Sequence, residues 1–534
     1  MNRKTLVLPA LAGLLAPVLV ACGGGDTAGK GGRAIVVGTT DRFEETTDAP
    51  APFDPAAAYD VSAWNVLHSG FQTLMRLPRS GTAPVADAAE KCWFADRKNE
   101  QFRCTLREGL KFSNGNALTA EDVKFSVERA LAINFDNGPV SLLSNIDQVE
   151  TPSEQEVVFH LKTPDATFPQ KIATPAAAIV DAQSYDKDKL GNGFKIVGSG
   201  PYTVRTEQKD GRVTKLLLEK NAAYQGPLQL RNDKVELRFF DDETSMDKAL
   251  RAGEVDLVNR TMSPERIARL RADGDDSGVR LLEVPGQEIS YLAFNTEDPT
   301  VKSKPVRQAI AQLVDRRALT RDAYDRANDP LFSLVPSGIT GHQNSFSNKY
   351  GEEPSVDKAR SILRAANITT PVPLTLTYNE DHYGQANAKA FAALQQQLGN
   401  GGLFQVQLQS VKWSEFRPNA AQGKYAVYGM GWFPDFPDPD NFVAPFIGKD
   451  NFLRSPYRNT RISDDLIPSS RETGQREAAA RYFQQAQDIV ADEVPVLPLW
   501  QGKSYVAARQ NVTGAEWALN SASELQPWEL GRGA

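Results

Sequence analysis

Three cysteines and four histidines are all that 534 residues supply of the side chains that build zinc clusters, so a Cys/His metal centre is nearly excluded by count alone. A basic excess is missing too. The 60 Lys+Arg set against 67 Asp+Glu leave a net charge of −7, whereas a nucleic-acid surface normally carries a surplus of cations. No G-x-S-x-G elbow, H-E-x-x-H pair, Walker loop or dinucleotide fingerprint occurs. The histidines, His68, His160, His342 and His382, lie far apart in the chain. Among 67 acids, a pair of carboxylates carries no glycosidase signal by itself. No low-complexity segment and no repeat of 20 to 50 residues follows residue 33. What is present is ordinary for a folded protein, 41% apolar and 24% charged, in a chain long enough for more than one lobe.

The N-terminus is less ordinary. Asn2-Arg3-Lys4 precedes an apolar run from Leu6 to Ala21, shorter than the roughly 20 residues of a membrane span but suited to a secretory signal. The run ends Leu19-Val20-Ala21-Cys22-Gly23-Gly24-Gly25, which resembles the bacterial lipobox. That resemblance implies a signal peptide over 1–21, a lipid on the Cys22 thiol and a Gly-rich tether over 22–33, placing the folded part outside the cytoplasm. A plain secretory signal with an incidental Cys22 is the alternative. The two remaining cysteines, Cys92 and Cys104, flank the polar turn Asp96-Arg97-Lys98-Asn99-Glu100 between two strand-like runs. A cross-strand disulfide fits an oxidising compartment, and closing so short a loop is worth on the order of 3 kcal/mol in the chain-entropy model.

Strand-like runs include 34–37, 156–161 and 234–239, and Asp210-Gly211 predicts a tight hairpin inside 202–218. A capping-box-like start at Thr119 leads into a helix with Val123, Val127, Ala130 and Leu131 on its apolar face. A second helix follows Pro305, with Arg307, Arg316 and Arg317 expected on the wet side. Phe391, Leu394 and Leu398 mark a third helix, stopped by Gly399, and Ala479 to Ile489 a long late one. Alternating elements of this kind predict an α/β fold. If the strands 288–295 and 496–500 both cross between lobes, the segment between them is an inserted lobe and the whole is a two-lobe clamp.

Four segments carry a family resemblance. Phe102 to Gly115 continuing into Leu118-Thr119-Ala120-Glu121-Asp122-Val123, then Gly198-Ser199-Gly200-Pro201-Tyr202, then Phe294-Asn295-Thr296 with Val306 to Ile310, and Gly431-Trp432-Phe433-Pro434-Asp435 running on to Phe442 resemble, in order, the peptide/nickel class of ABC-transporter solute-binding proteins, bacterial family 5. The resemblance implies a periplasmic-binding-protein-like clamp of the large type II class, in which two lobes close on a ligand and present it to a permease and its ATPase. Lobe I is then 34–290 plus 500–534, with an extra subdomain over 71–171, and lobe II is 291–499.

The resemblance also implies site residues. Asp435, three residues after the Gly431-Trp432 pair, would receive a peptide's α-ammonium, since an unpaired charge in a closed cleft costs several kcal/mol. Gly431, Trp432 and Phe433 would line the same wall, with Tyr428 and Trp413 as further aromatic candidates, His382 or Tyr383 in a pocket, and Trp64 and Asn65 on an early cleft-lining helix. Asp438 and Asp440 could join Asp435 around a hard cation, although their spacing is not that of a calcium loop. Some relatives carry an Arg where this chain has Gly429, which leaves peptide length open. The expected ligands are small peptides, with no cofactor, no metal, no nucleic acid and a monomeric state; metal chelates, haem and oligosaccharides also occur on this scaffold. A secreted cell-wall hydrolase and a peptide-binding sensor or chaperone are the readings from other classes.

Overall fold

The computed structural model describes residues 33–47, 49–260, 262–274, 278–449 and 451–533. The signal segment 1–21, Cys22 and all of the tether except Arg33 lie outside the described residues. Among those residues an eleven-stranded sheet runs through the molecule. In its first-lobe half lies Ile35–Thr39, whose five residues are all buried, as a strand covered on both faces should be. It pairs in parallel with Lys234–Phe239 and Leu257–Asn259. At the other end Val372–Tyr378 pairs in parallel with Phe404–Ser410 and Val427–Trp432.

Two long antiparallel strands join the halves, Val279–Phe294 and Val496–Arg509. Their register slips between Pro285 and Ile289, so Gly286, Gln287 and Glu288 form an irregular crossing opposite Gln501 and Gly502. On one side of it Ile289 to Phe294 and Val496 to Trp500 belong to a core built from residues 289–500. On the other side Val506 and Ala508 belong to a core built from 35–257 and the C-terminal segment. The sheet is continuous while the cores are separate, which is the anatomy of two lobes on a hinge. Gly286 is required there, because a Cβ would lie 2.6 Å from the Gly502 carbonyl oxygen.

A second, four-stranded sheet, Ala89–Phe94, Gln101–Leu106, Glu156–Leu161 and Ile146–Ser153, packs with the helix Ala120–Ile133. The Asp122 carboxylate accepts from the Thr119 N–H at 2.9 Å and starts that helix. Cys92 and Cys104 stand directly opposite each other in this sheet and are joined, S–S 2.07 Å. The Asp210-Gly211 turn has positive φ at both positions (54° and 76°), the type I′ geometry that joins Tyr202–Lys209 to Arg212–Lys220.

The single helix expected after Pro305 is two, Lys304–Leu313 and Arg316–Asp322, and its arginines do not all face water. Arg317 is exposed, but Arg307 and Arg316 are buried. The Arg307 guanidinium donates to the carbonyls of Val301 and Lys302 (both 2.8 Å) and of Glu493 and Val494 (2.7 and 3.0 Å), so it caps the C-terminal end of helix Arg476–Glu493. Arg316 donates to the Pro498 carbonyl at 2.8 Å and lies over the Phe332 ring. A planar donor fork can satisfy orphan carbonyls inside a core, and amphipathic periodicity is blind to that use.

Candidate ligand site between the lobes

Strand Val427–Trp432 is the partition of the site. Side chains alternate across a strand, so Tyr428 and Trp432 line a cavity of about 930 Å³ on one face. Gly429, Gly431 and the following Phe433 line a second cavity, of about 900 Å³, on the other. Both cavities are bounded by residues from both lobes, the first by Tyr59 and Lys171 facing Arg417 and Trp432, the second by Val61 and Arg260 facing His382 and Tyr383.

The loop leaving this strand is locked from behind. Asp438 receives a bidentate fork from Arg476 (2.7 and 2.8 Å), and Asp440 one from Arg471 (3.0 and 2.9 Å). These carboxylates are committed to guanidinium groups, which corrects the idea that they could join Asp435 around a cation. Phe436 is inserted into the lobe I core, so the loop touches both lobes.

Asp435 lies at that contact, buried and lining the larger cavity. Asn441 holds it in place twice, accepting from the Asp435 N–H at 2.8 Å and donating to its carboxylate at 3.0 Å. The Tyr59 phenol of lobe I interacts with the same carboxylate, and the Tyr59 ring rests on Trp64, centroids 5.6 Å apart. Burial pushes the Asp435 carboxyl up to about 6, against the lowering effect of its hydrogen bonds with Asn441 and Tyr59. Among the described residues no cation forms an ion pair with it.

The other expected residues divide. Trp432 donates its indole N–H to the Asn441 carbonyl at 2.8 Å and presents its face to the larger cavity. Gly431 is approached closely, but by Tyr383, whose hydroxyl accepts from its N–H at 3.0 Å. His382 and Tyr383 line the second cavity, and burial holds the His382 imidazole below its usual value. Trp413 lines neither cavity; it stacks flat behind His382, centroids 4.0 Å apart, and so acts as a platform. Trp64 and Asn65 also stand back. The Trp64 indole donates to the Ala58 carbonyl at 2.9 Å, and Asn65 accepts from the Leu525 N–H, also at 2.9 Å. Gly429 has no room for any side chain, because its Cβ would lie 2.2 Å from the Phe391 ring.

Sequence reasoning missed Tyr59, Asn441 and Glu288. Tyr59 sits just before Asp60, the N-cap of helix Val61–Gly70, where the chain leaves one element for another and periodicity says nothing. Glu288 had a visible signal, an acid at the head of the apolar strand Ile289-Ser290-Tyr291-Leu292.

Two α/β lobes on paired hinge strands, with cavities lined from both sides between them, define the fold as a solute-binding clamp. The sequence comparison makes the class specific: residues 83–453 match the model of bacterial extracellular solute-binding proteins, family 5, and the chain belongs to that family. A probable D,D-dipeptide-binding periplasmic protein of Escherichia coli, DdpA, is 25% identical over 87% of this chain and 89% of its own length. Heme-binding protein A of Haemophilus influenzae is likewise 25% identical, over 88% of each chain. A solved structure of the Helicobacter pylori ABC transporter-associated periplasmic binding protein DppA, in complex with the peptide STSA, superposes with a TM-score of 0.77 over 94% of this chain and 98% of its own, at 21% identity. Family members are extracytoplasmic binding components, and no helix among the described residues is long and apolar enough to cross a membrane.

Proposed function

We propose that this protein is a lipid-anchored receptor that captures short peptides between its lobes and delivers them to an ABC permease. Asp435 is the observation that carries the reading. A carboxylate buried at the contact of two lobes, held by an asparagine and with no ion-pair partner among the described residues, is suited to a ligand's α-ammonium. Tyr428 and Trp432 supply apolar faces beside it, and a cavity of about 930 Å³ holds several residues' worth of side chain and water. The names of relatives that bind dipeptides support the class of ligand. Binding, rather than catalysis, is the activity this arrangement serves. The lipid on Cys22 belongs to the proposal on the strength of the lipobox-like sequence.

Native mass spectrometry of the purified protein, followed by denaturing release of its ligand, tests the reading. A mixture of short peptides is expected, whereas one metal chelate or sugar would overturn it. Asp435→Ala should weaken free-amine peptides far more than their N-acetylated forms. Cys22→Ser should move the protein from the membrane fraction to the soluble one, and globomycin-type block of signal cleavage should leave a larger precursor.

A further inference from the structure

The second cavity holds a carboxylate for which the peptide reading has no use. Glu288 lies in the irregular crossing of the hinge strands, where the register slips between Pro285 and Ile289, and it lines the 900 Å³ cavity. Its oxygens stand over two glycines: a Cβ at Gly431 would lie 3.4 Å from Oε1, and one at Gly502 3.2 Å from Oε2. A Cβ at Gly502 would press on the carboxylate, and one at Gly431 would touch it. No hydrogen-bond donor of the described residues reaches it.

The other charges around the cavity are engaged elsewhere. Lys389 binds Glu265 at 2.6 Å, Lys503 binds Glu283 and Asp329 at 2.9 and 3.2 Å, and Glu243 accepts from the Ser263 N–H at 2.8 Å. Among the described residues, Arg260 is the cation whose field lowers Glu288, and its guanidinium lies 3.6 Å from Asp41. Tyr324, Tyr383 and Trp500 line the same cavity. An uncovered carboxylate beside aromatic faces is the chemistry that holds an ammonium or guanidinium group.

We propose that Glu288 receives a cationic group of the ligand in the cavity beside the hinge, and that the protein therefore selects peptides carrying a basic side chain. This rests on the peptide reading for the rest of the ligand. Burial supports the assignment, since it pushes the free carboxyl up to about 7, a cost that an incoming cation relieves. Because Glu288 sits where the two strands cross, its ligand would touch the segment that bends when the lobes close.

Calorimetry with the full mature protein tests it. The probes are tri-alanine, the three tripeptides with one Ala replaced by Lys, the three with norleucine in its place, and agmatine, a guanidinium amine with no peptide bond. At one position Lys is expected to bind at least tenfold more tightly than norleucine, and Glu288→Gln, close to isosteric, should abolish that difference while leaving tri-alanine binding within about twofold. Equal affinity for Lys and norleucine at every position, or a preference that survives in Glu288→Gln, overturns the inference and leaves the peptide reading standing. Agmatine bound in a Glu288-dependent way, with no tripeptide bound, sustains the Glu288 site and overturns the peptide reading. Binding of none of the probes overturns both. A circular-dichroism melt of Glu288→Gln that matches the parent confirms that the variant is folded.

Discussion

Lys389 Nζ donates to Glu265 Oε1 at 2.6 Å across the mouth of the cleft, tying helix Gly384–Gly399 of one lobe to helix Pro264–Asp273 of the other. Both side chains are about half exposed, so the pair belongs to the rim rather than the core. Each partner stabilises the other's charged form, holding the Glu265 carboxyl down and the Lys389 ammonium up. Rim pairs of this kind are worth roughly 0–1 kcal/mol and are screened by salt.

Lys389→Ala should therefore shift the ligand-free protein toward the open form without changing its stability. Small-angle scattering should show a larger radius for the variant, and ligand affinity should fall by no more than about fivefold. In roughly 1 M salt the two proteins should become indistinguishable by either measurement.

Asp435 makes affinity and stability depend on pH in opposite ways. Its folded carboxyl titrates near 6, above the unfolded value near 4, so between these values the folded state holds more protons than the unfolded one. Stability of the ligand-free protein then falls as pH rises through that window. Asp435→Asn should raise its stability at pH 7 by up to about 3 kcal/mol in urea unfolding. Affinity for a free-amine peptide should do the reverse, falling toward tenfold per pH unit below about 6, because the bound ammonium requires the ionised carboxyl.

Asn441 positions that carboxylate, and its two hydrogen bonds suggest a separate experiment. Asn441→Ala removes a bond that favours the ionised form. The pH midpoint of peptide binding should move upward relative to the parent, a displacement that loss of packing alone would not produce. Titration calorimetry across pH 5 to 8 reads it.

Arg307 is the place where a single substitution should cost most in stability. Truncation to Ala would strand four carbonyls, those of Val301 and Val494 buried and those of Lys302 and Glu493 partly so. A loss of about 3 kcal/mol or more is expected by denaturant unfolding. Arg317→Ala, on the next helix and exposed, should change stability by less than about 0.5 kcal/mol.

These contrasts mark what local pattern can carry. The strand 35–39, the hairpin at Asp210-Gly211 and the capped helix after Thr119 were legible because each depends on neighbours a few residues away. So were the second-lobe halves of the hinge strands, 289–294 and 496–500, whose apolar runs announce burial, while their extensions 279–287 and 501–509 were not. Trp413 and Trp64 looked like cavity walls because aromatic type does not say which way a ring faces; one backs His382 and the other backs Tyr59. Arg307 and Arg316 looked wet because the carbonyls that draw them inward include those of Val494 and Pro498, more than 180 residues away.

The sequence by itself determined the α/β lobes and the Gly431-Trp432-x-x-Asp435 loop, and its motifs pointed to the family to which the chain belongs. Hydrophobic periodicity and turn chemistry are local, and ordered motifs survive as text. Tertiary structure alone decided that Asp435 meets Tyr59, that Asp438 and Asp440 are spent on Arg476 and Arg471, and that Glu288 stands uncovered over Gly431 and Gly502. The reason is electrostatic: whether a buried charge is paired depends on groups that only the closure of two lobes brings within a few ångströms.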